Sequence, residues 1–120
     1  MSEIFAFNPL YTNTGLAGSP AGTLIASTTL AATTSAQAVI LPGGNSSCSQ
    51  IQIANQTTAW AYVNFGIAGS VTAATVAASY PVAPGAVVVV STATEVTGAS
   101  CILAAGATGA SVTFTRGNGL

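Results

Sequence analysis

The sequence is almost without ionisable side chains. Among 120 residues it has no histidine, one cation, Arg116, and two carboxylates, Glu3 and Glu95, whereas an ordinary globular chain is about one-quarter charged. Without histidine no side chain is a natural general base near neutral pH, and the sequence offers no set of ligands for a metal. We therefore expect no catalytic residue, no metal and no other cofactor.

The scarcity of charge also bears on partners. One arginine cannot neutralise a phosphate backbone, so no nucleic-acid partner is expected. No run of about 18 apolar residues is present, so we expect no membrane partner. The first ten residues lack the basic region of a secretion signal, and Asn8 and Pro9 break their apolar stretch, which favours synthesis in a cytoplasm.

Cysteine is scarce too, with only Cys48 and Cys101. Two cysteines could form a disulfide. The favoured interpretation is that both are small, buried hydrophobic residues in a reducing compartment.

Half of all the residues are hydrophobic, and the net charge of the chain is −1. The surface of such a chain must be wetted by serine, threonine, asparagine, glutamine and backbone groups. Because so little charge keeps copies apart, the chain favours association with itself or with a partner. We expect a homo-oligomer.

From residue 23 onward, short β-type segments alternate with glycine and proline turns. Strands at spacings of about 8 to 12 residues indicate an all-β protein, either a sandwich or a barrel, and of the two we expect an antiparallel β-sandwich. The alanine-rich stretches at 26–38 and 73–78 are interpreted as strand or loop, because interleaved threonines disfavour a helix in the first. The predicted strands are 23–31, 36–41, 49–54, 59–65, 72–78, 86–92, 99–104 and 110–115.

Residues 1–22 differ from the domain predicted over 23–120. They begin with large apolar side chains and continue into a stretch rich in glycine, with Pro20. They indicate an extended N-terminal arm that docks on a neighbour; the alternative is a first edge strand that folds back on its own domain. The candidate anchors are Ile4, Phe5, Phe7 and Tyr11.

Two further interface candidates come from the aromatic segment 59–65. Trp60 and Tyr62 alternate with Val63 and Phe65, and a strand that is apolar on both faces is central or part of an interface. Arg116 is the last candidate. We expect it at the surface or at an interface rim, where it could pair with Glu95 or the terminal carboxylate.

A family resemblance covers roughly the last 70 residues. Its features are the turn at 53–55, an aromatic strand ending in Phe-Gly at 60–66, a proline–glycine turn into a β-branched strand at 81–90, and the ending Gly-Asn-Gly-Leu at 117–120. This layout resembles a group of small virion structural proteins from tailed bacteriophages. Arg116 departs from the acidic residue expected just before the final Gly-x-Gly.

The resemblance implies a jelly-roll-like sandwich that decorates or cements a capsid and contacts the major capsid protein. The protein would be made in the host cytoplasm and lie on the capsid surface of the virion, without an active site. The alternative is a tail, fibre or host-attachment component that binds a surface glycan by stacking Trp60 and Tyr62 on sugar rings. A third candidate, an extracellular adhesin, is disfavoured by the missing secretion signal.

Overall fold

The computed structural model describes residues 7–9, 11–13, 23–42, 48–107 and 110–118, which form strands and loops. The strands are β1 (Asn8–Pro9), β2 (Tyr11–Asn13), β3 (Thr23–Ile25), β4 (Ser27–Ala32), β5 (Gln37–Ile40), β6 (Gln50–Asn55), β7 (Ala61–Gly66), β8 (Tyr80–Val82), β9 (Val87–Ser91), β10 (Gly98–Leu103) and β11 (Ala110–Asn118).

Two antiparallel sheets contain most of these strands. The first has the order β4-β11-β6-β9, with β1 beside β4 on the same edge of β11, and the second has the order β5-β10-β7-β8. The pairing is nested, since β4 pairs with β11, β5 with β10, β6 with β9 and β7 with β8. The predicted all-β, antiparallel two-sheet architecture is confirmed.

Side chains that alternate along the strands form the core between the sheets. Ile51 and Ile53 on β6 and Val112 and Phe114 on β11 are fully buried, as their alternation with polar residues predicts. Phe114 meets Phe65 of the second sheet edge-on, with ring centroids 6.4 Å apart. Burial of each such side chain contributes about 1.5–3 kcal/mol before the entropy cost of ordering, so this interior holds the two sheets together.

Seven of the eight predicted strands overlap an observed one, but the strand predicted at 72–78 is wrong. Residues 71–79 form a loop with turns, and polar side chains of the second sheet bind it. Asn64 Nδ2 donates to the Thr72 carbonyl (3.2 Å), and the Ala74 amide donates to Ser100 Oγ (3.0 Å). The loop therefore lies over the outer face of this sheet.

Strand β8 was not among the predicted strands, because Pro81 was interpreted as part of a turn. Proline has no N–H to donate to a ladder, but β8 is the edge strand of the second sheet and pairs on one side only. At an edge, the N–H group that proline lacks can belong to the unpaired side of the strand, where its absence costs no ladder hydrogen bond.

The described part of 1–22 pairs with the rest of the chain. Asn8 and Pro9 pair with Asn118 and Gly117 of β11, and β2 pairs with β3. This agrees with the alternative of an edge strand, and the extended arm is not confirmed. Ile4 and Phe5 lie outside the described residues.

Candidate functional site

The described residues hold no group of three or more histidine, cysteine or acidic side chains placed to bind a metal ion. They also contain no helix with the length and apolarity needed to cross a membrane. Cys48 and Cys101 are both buried, as the favoured interpretation expected. Burial raises the pKa of Cys101 to about 11, partly offset by a hydrogen bond with the backbone of Tyr62.

Arg116 lies inside the protein, and the expectation of a surface or rim position is wrong. Its side chain is 0% exposed, on the inner face of β11 between the two sheets. Nε donates to the Pro42 carbonyl (2.9 Å), Nη1 to the Cys48 carbonyl (3.4 Å) and Nη2 to the Val96 carbonyl. Its acceptors are thus backbone carbonyls and not the carboxylate of Glu95, which is exposed.

These three bonds tie together two connections at one end of the sandwich. Pro42 and Cys48 belong to the β5–β6 connection, and Val96 belongs to the β9–β10 connection. Burial lowers the pKa of Arg116 because the charged form loses hydration. A buried guanidinium is tolerated when carbonyl oxygens replace water, so the lone cation of the chain serves as an internal clamp.

Asn55 forms a second polar network, at the end of β6. Its Nδ2 donates to the carbonyls of Ala59, Val82 and Ala83 at 2.9–3.1 Å. Its Oδ1 accepts from the amide and the hydroxyl of Thr57 (3.0 and 2.7 Å). Asn55 and Thr57 are both buried, so the sequence Asn-Gln-Thr forms a structural turn that joins β6 to β8.

The aromatic candidates lie on the outside of the second sheet. Trp60, just before β7, is 46% exposed, and Tyr62 on β7 is half-buried. Tyr62 lies directly opposite Pro81 of β8, so the two side chains share the outer face. Tyr80 is also exposed, but it lies opposite the core residue Val63, so its side chain leaves β8 on the other face. We call Trp60 and Tyr62 the aromatic patch.

The outer face of the first sheet is uncharged and rich in hydroxyl groups. Register places Ser27 opposite Thr115 and Thr29 opposite Thr113. Their hydroxyl oxygens are 3.0 and 3.1 Å apart, and Thr113 also donates to Gln56 Oε1 (3.3 Å). Thr115 is buried, and we call Ser27, Thr29 and Thr113 the hydroxyl face. The partners of Thr113 and Thr115 on β4 have no local sequence signal and are revealed only by the register.

A shallow cavity of about 220 Å³ opens beside β5, on the side where the loop after β7 returns over the sheet. Ala38, Val39 and Ile40 line it from β5, and Ala68, Gly69 and Val71 line it from the loop. Ile40 is strongly exposed at its rim. The lining has no ionisable group, so the cavity is suited to apolar contact rather than to chemistry.

The interface candidates do not form one cluster. Trp60 and Tyr62 are close together, Arg116 is internal, Phe7 is half-buried just before β1, and Tyr11 belongs to β2. Comparisons with protein-family models, with curated protein sequences and with solved structures found no match.

Proposed function

We propose that the chain is a non-enzymatic structural protein of a virion, a cement or decoration protein on the head of a tailed phage. Copies of the chain would cover junctions of the shell and bind the major capsid protein by neutral contacts. Synthesis in the host cytoplasm and assembly on the capsid surface complete the proposal.

The observation that carries the proposal is the neutrality of the described surface. Arg116 is internal, so Glu95 is the one exposed charge among the described residues. The hydroxyl face and the aromatic patch offer hydrogen bonds and apolar area but no charge. Such surfaces are suited to permanent contact with other protein surfaces, since a dissolved monomer gains little repulsion from them.

The topology supports the finer part of the proposal, a jelly-roll. A jelly-roll folds eight strands into two four-stranded sheets, and capsid proteins are among the classes that use it. The nested pairing of the eight strands β4 to β11 supports this proposal, because each of the first four strands pairs with its counterpart among the last four. The resemblance of the last 70 or so residues to tailed-phage virion proteins points the same way.

Cementing follows from mass action. A protein that binds the assembled shell but not its separated subunits stabilises the assembly, and a specific contact buries about 800 Å² per partner. Much of the favourable free energy from burying apolar area is offset by the entropy cost of ordering the partners. Each copy therefore binds weakly, and many copies act together. Neutral contacts of this kind are less sensitive to salt than ionic contacts are.

Particles that lack the protein test this role. We expect them to lose DNA at a lower temperature, or under a milder osmotic shock, than complete particles, and the purified chain added back should restore the difference. Particles that are equally robust with and without the chain would rule out cementing.

The aromatic patch favours a second candidate, a tail or host-attachment component that binds a glycan. Exposed Trp60 and half-buried Tyr62 share one face and can stack on sugar rings. In that case Trp60→Ala should reduce binding to host cell walls at least tenfold, with Val76→Ala, an exposed apolar residue in the loop over the second sheet, as control. The copy number separates the two candidates, since hundreds per particle indicate the shell and a handful indicate the tail.

A further inference from the structure

Strand β9 ends the first sheet with an edge that no described strand pairs. Its sequence is Val-Val-Val-Val-Ser, without a charge, a proline or a glycine. Natural edge strands are usually blunted by lysine, proline, a bulge or a cover, because a bare edge is a template for another strand. The edge of β9 has none of the devices that its own sequence could supply.

The register shows which backbone groups of β9 face outward. The Asn55 amide donates to the Ala86 carbonyl, and the Thr92 amide donates to the Ser49 carbonyl, so even-numbered residues of this segment bond to β6. In an antiparallel ladder the alternate residues direct both N–H and C=O to the other side. The unpaired donors and acceptors therefore belong to Val87, Val89 and Ser91.

Both faces of this edge are apolar. Val87 is 60% exposed on the outer face, and Val88 and Val90 remain half-buried at the margin of the core. The other edge strands differ. Pro81 interrupts β8, the outward residues of β4 include Ser27 and Thr29, and β5 has four residues.

We infer that β9 pairs with β9 of a second copy, antiparallel and centred on Val89. In this register Val89 lies opposite Val89 and Val87 opposite Ser91, so every outward backbone group finds a partner, in about six hydrogen bonds. Inner-face Val88 meets Val90 of the other copy, which covers the apolar margin from both sides. The near absence of charge removes the repulsion that ordinarily keeps such edges apart.

The pairing makes a symmetric contact that joins the first sheets of two copies into one continuous sheet. A ladder of five residues is small, below the roughly 1,200 Å² of a standard interface, so the pair should form at high concentration or on a crowded surface. The inference rests on the edge itself and not on a capsid, although a shell would supply the crowding.

Sedimentation of the purified full chain tests the register with paired charges. Val87 and Ser91 are exposed, so V87K/S91K should fold, yet it sets lysine against lysine twice across the proposed contact. V87K/S91E sets lysine against glutamate instead. Thr29→Lys on the exposed side of β4 is the matched control. Circular dichroism and thermal unfolding of each variant confirm the fold.

We expect the wild type and T29K to dimerise at concentrations up to several hundred micromolar, V87K/S91K to dissociate at least tenfold more easily, and V87K/S91E to recover the dimer at low salt. A wild type that stays monomeric, a V87K/S91K dimer as tight as the wild type, a folded V87K/S91E that stays dissociated, or dissociation by T29K would each overturn the pairing. Binding to particles is measured separately. A chain that dimerises but binds no particle contradicts only the proposed function, and the reverse result contradicts only the β9 contact.

Discussion

Arg116 shows how a lone charge can be structural. Three backbone carbonyls from two connections surround its guanidinium, and they replace the water that the cation loses on burial. Hydrogen bonds to a charged group are stronger than neutral ones. The residue therefore fixes one end of the sandwich rather than serving a partner.

Replacement of Arg116 by methionine should lower the free energy of unfolding by about 2–5 kcal/mol, because buried carbonyls lose their donors. Urea unfolding measures the loss. Glu95→Gln is the control and should change stability by less than about 0.5 kcal/mol, since Glu95 is exposed. Equal losses in both variants would mean that an ion pair, not the carbonyl clamp, holds Arg116.

The buried thiol of Cys101 should make the stability of the protein depend on pH. Its ordinary pKa of 9.0 is raised to about 11 in the folded protein, chiefly by burial. Between these values the folded state keeps the thiol proton and the unfolded state loses it, so stability falls as pH rises from about 9 to 11, by up to about 3 kcal/mol. The measurement is the difference between wild type and Cys101→Ala in urea unfolding at pH 8 to 11, because the difference isolates the contribution of this thiol. Parallel curves would contradict the assigned cause.

At residue scale the sequence predicted the apolar interior better than the polar one. Ile51, Ile53, Val112 and Phe114 follow a period of two, which any half-buried strand imposes. The burial of Arg116 has no local signal, because its acceptors lie 20 to 74 residues away in the chain. Of the interface candidates, Trp60 is exposed, because its position in the alternation puts it on the face away from the core.

At a scale between the residue and the sheet, the position of the loop after β7 depends on its close approach to Gly98. A Cβ on Gly98 would lie 2.9 Å from Ala68 Cα and 2.9 Å from Val71 Cγ2. The Ala68 amide also donates to Thr97 Oγ1 (2.9 Å). The loop thus rests directly on the backbone of β10, where only glycine leaves room.

Gly98→Ala should therefore cost about 1–3 kcal/mol of stability, since the neighbour is backbone and cannot move aside alone. Gly66→Ala is the matched control. Gly66 pairs directly with Gly98, but its added Cβ would meet Val71 at 3.4 Å, an ordinary contact. Thermal unfolding should show a clearly larger loss for Gly98→Ala, and similar losses would contradict the close approach.

The position of strand β8 depends on hydrogen bonds from the Asn55 side chain. Asn55→Asp puts an oxygen where the amide nitrogen now faces carbonyls of Ala59, Val82 and Ala83. We expect a loss of about 3 kcal/mol or more at pH 7, eased in acid as the carboxylate takes up a proton. Exposed Gln56→Glu should be nearly neutral in the same unfolding assay. If Asn55→Asp were equally mild, the network would not hold β8.

At the scale of elements, strand positions were predictable where alternation or β-branching was strong, and the all-β class followed from them. The two failures, at 72–78 and at β8, have one cause: the outcome depends on neighbours that only the assembled sheets supply. The stretch 72–78 has the composition of a strand, but Asn64 and Ser100 bind it as a loop. Strand β8 contains Pro81, which is acceptable only because β8 is an edge, and edge position is a property of the assembled sheet.

The whole molecule presents neutral surfaces on every side described: the hydroxyl face, the aromatic patch, the cavity beside β5 and the edge of β9. Charge steers and orients most protein contacts, and here that term is nearly missing. Shape, hydrogen bonding and apolar area must then supply both affinity and specificity. This neutrality is the property that would suit the chain to be a building block.

Titration of the purified chain onto particles that lack it, followed by sedimentation and quantitative mass spectrometry, tests the account most directly. We predict saturation at hundreds of copies per particle, with an affinity that changes less than about threefold between roughly 0.05 and 1 M salt. No binding, or binding that salt abolishes, would contradict the claim that neutral contact surfaces make this chain part of a shell.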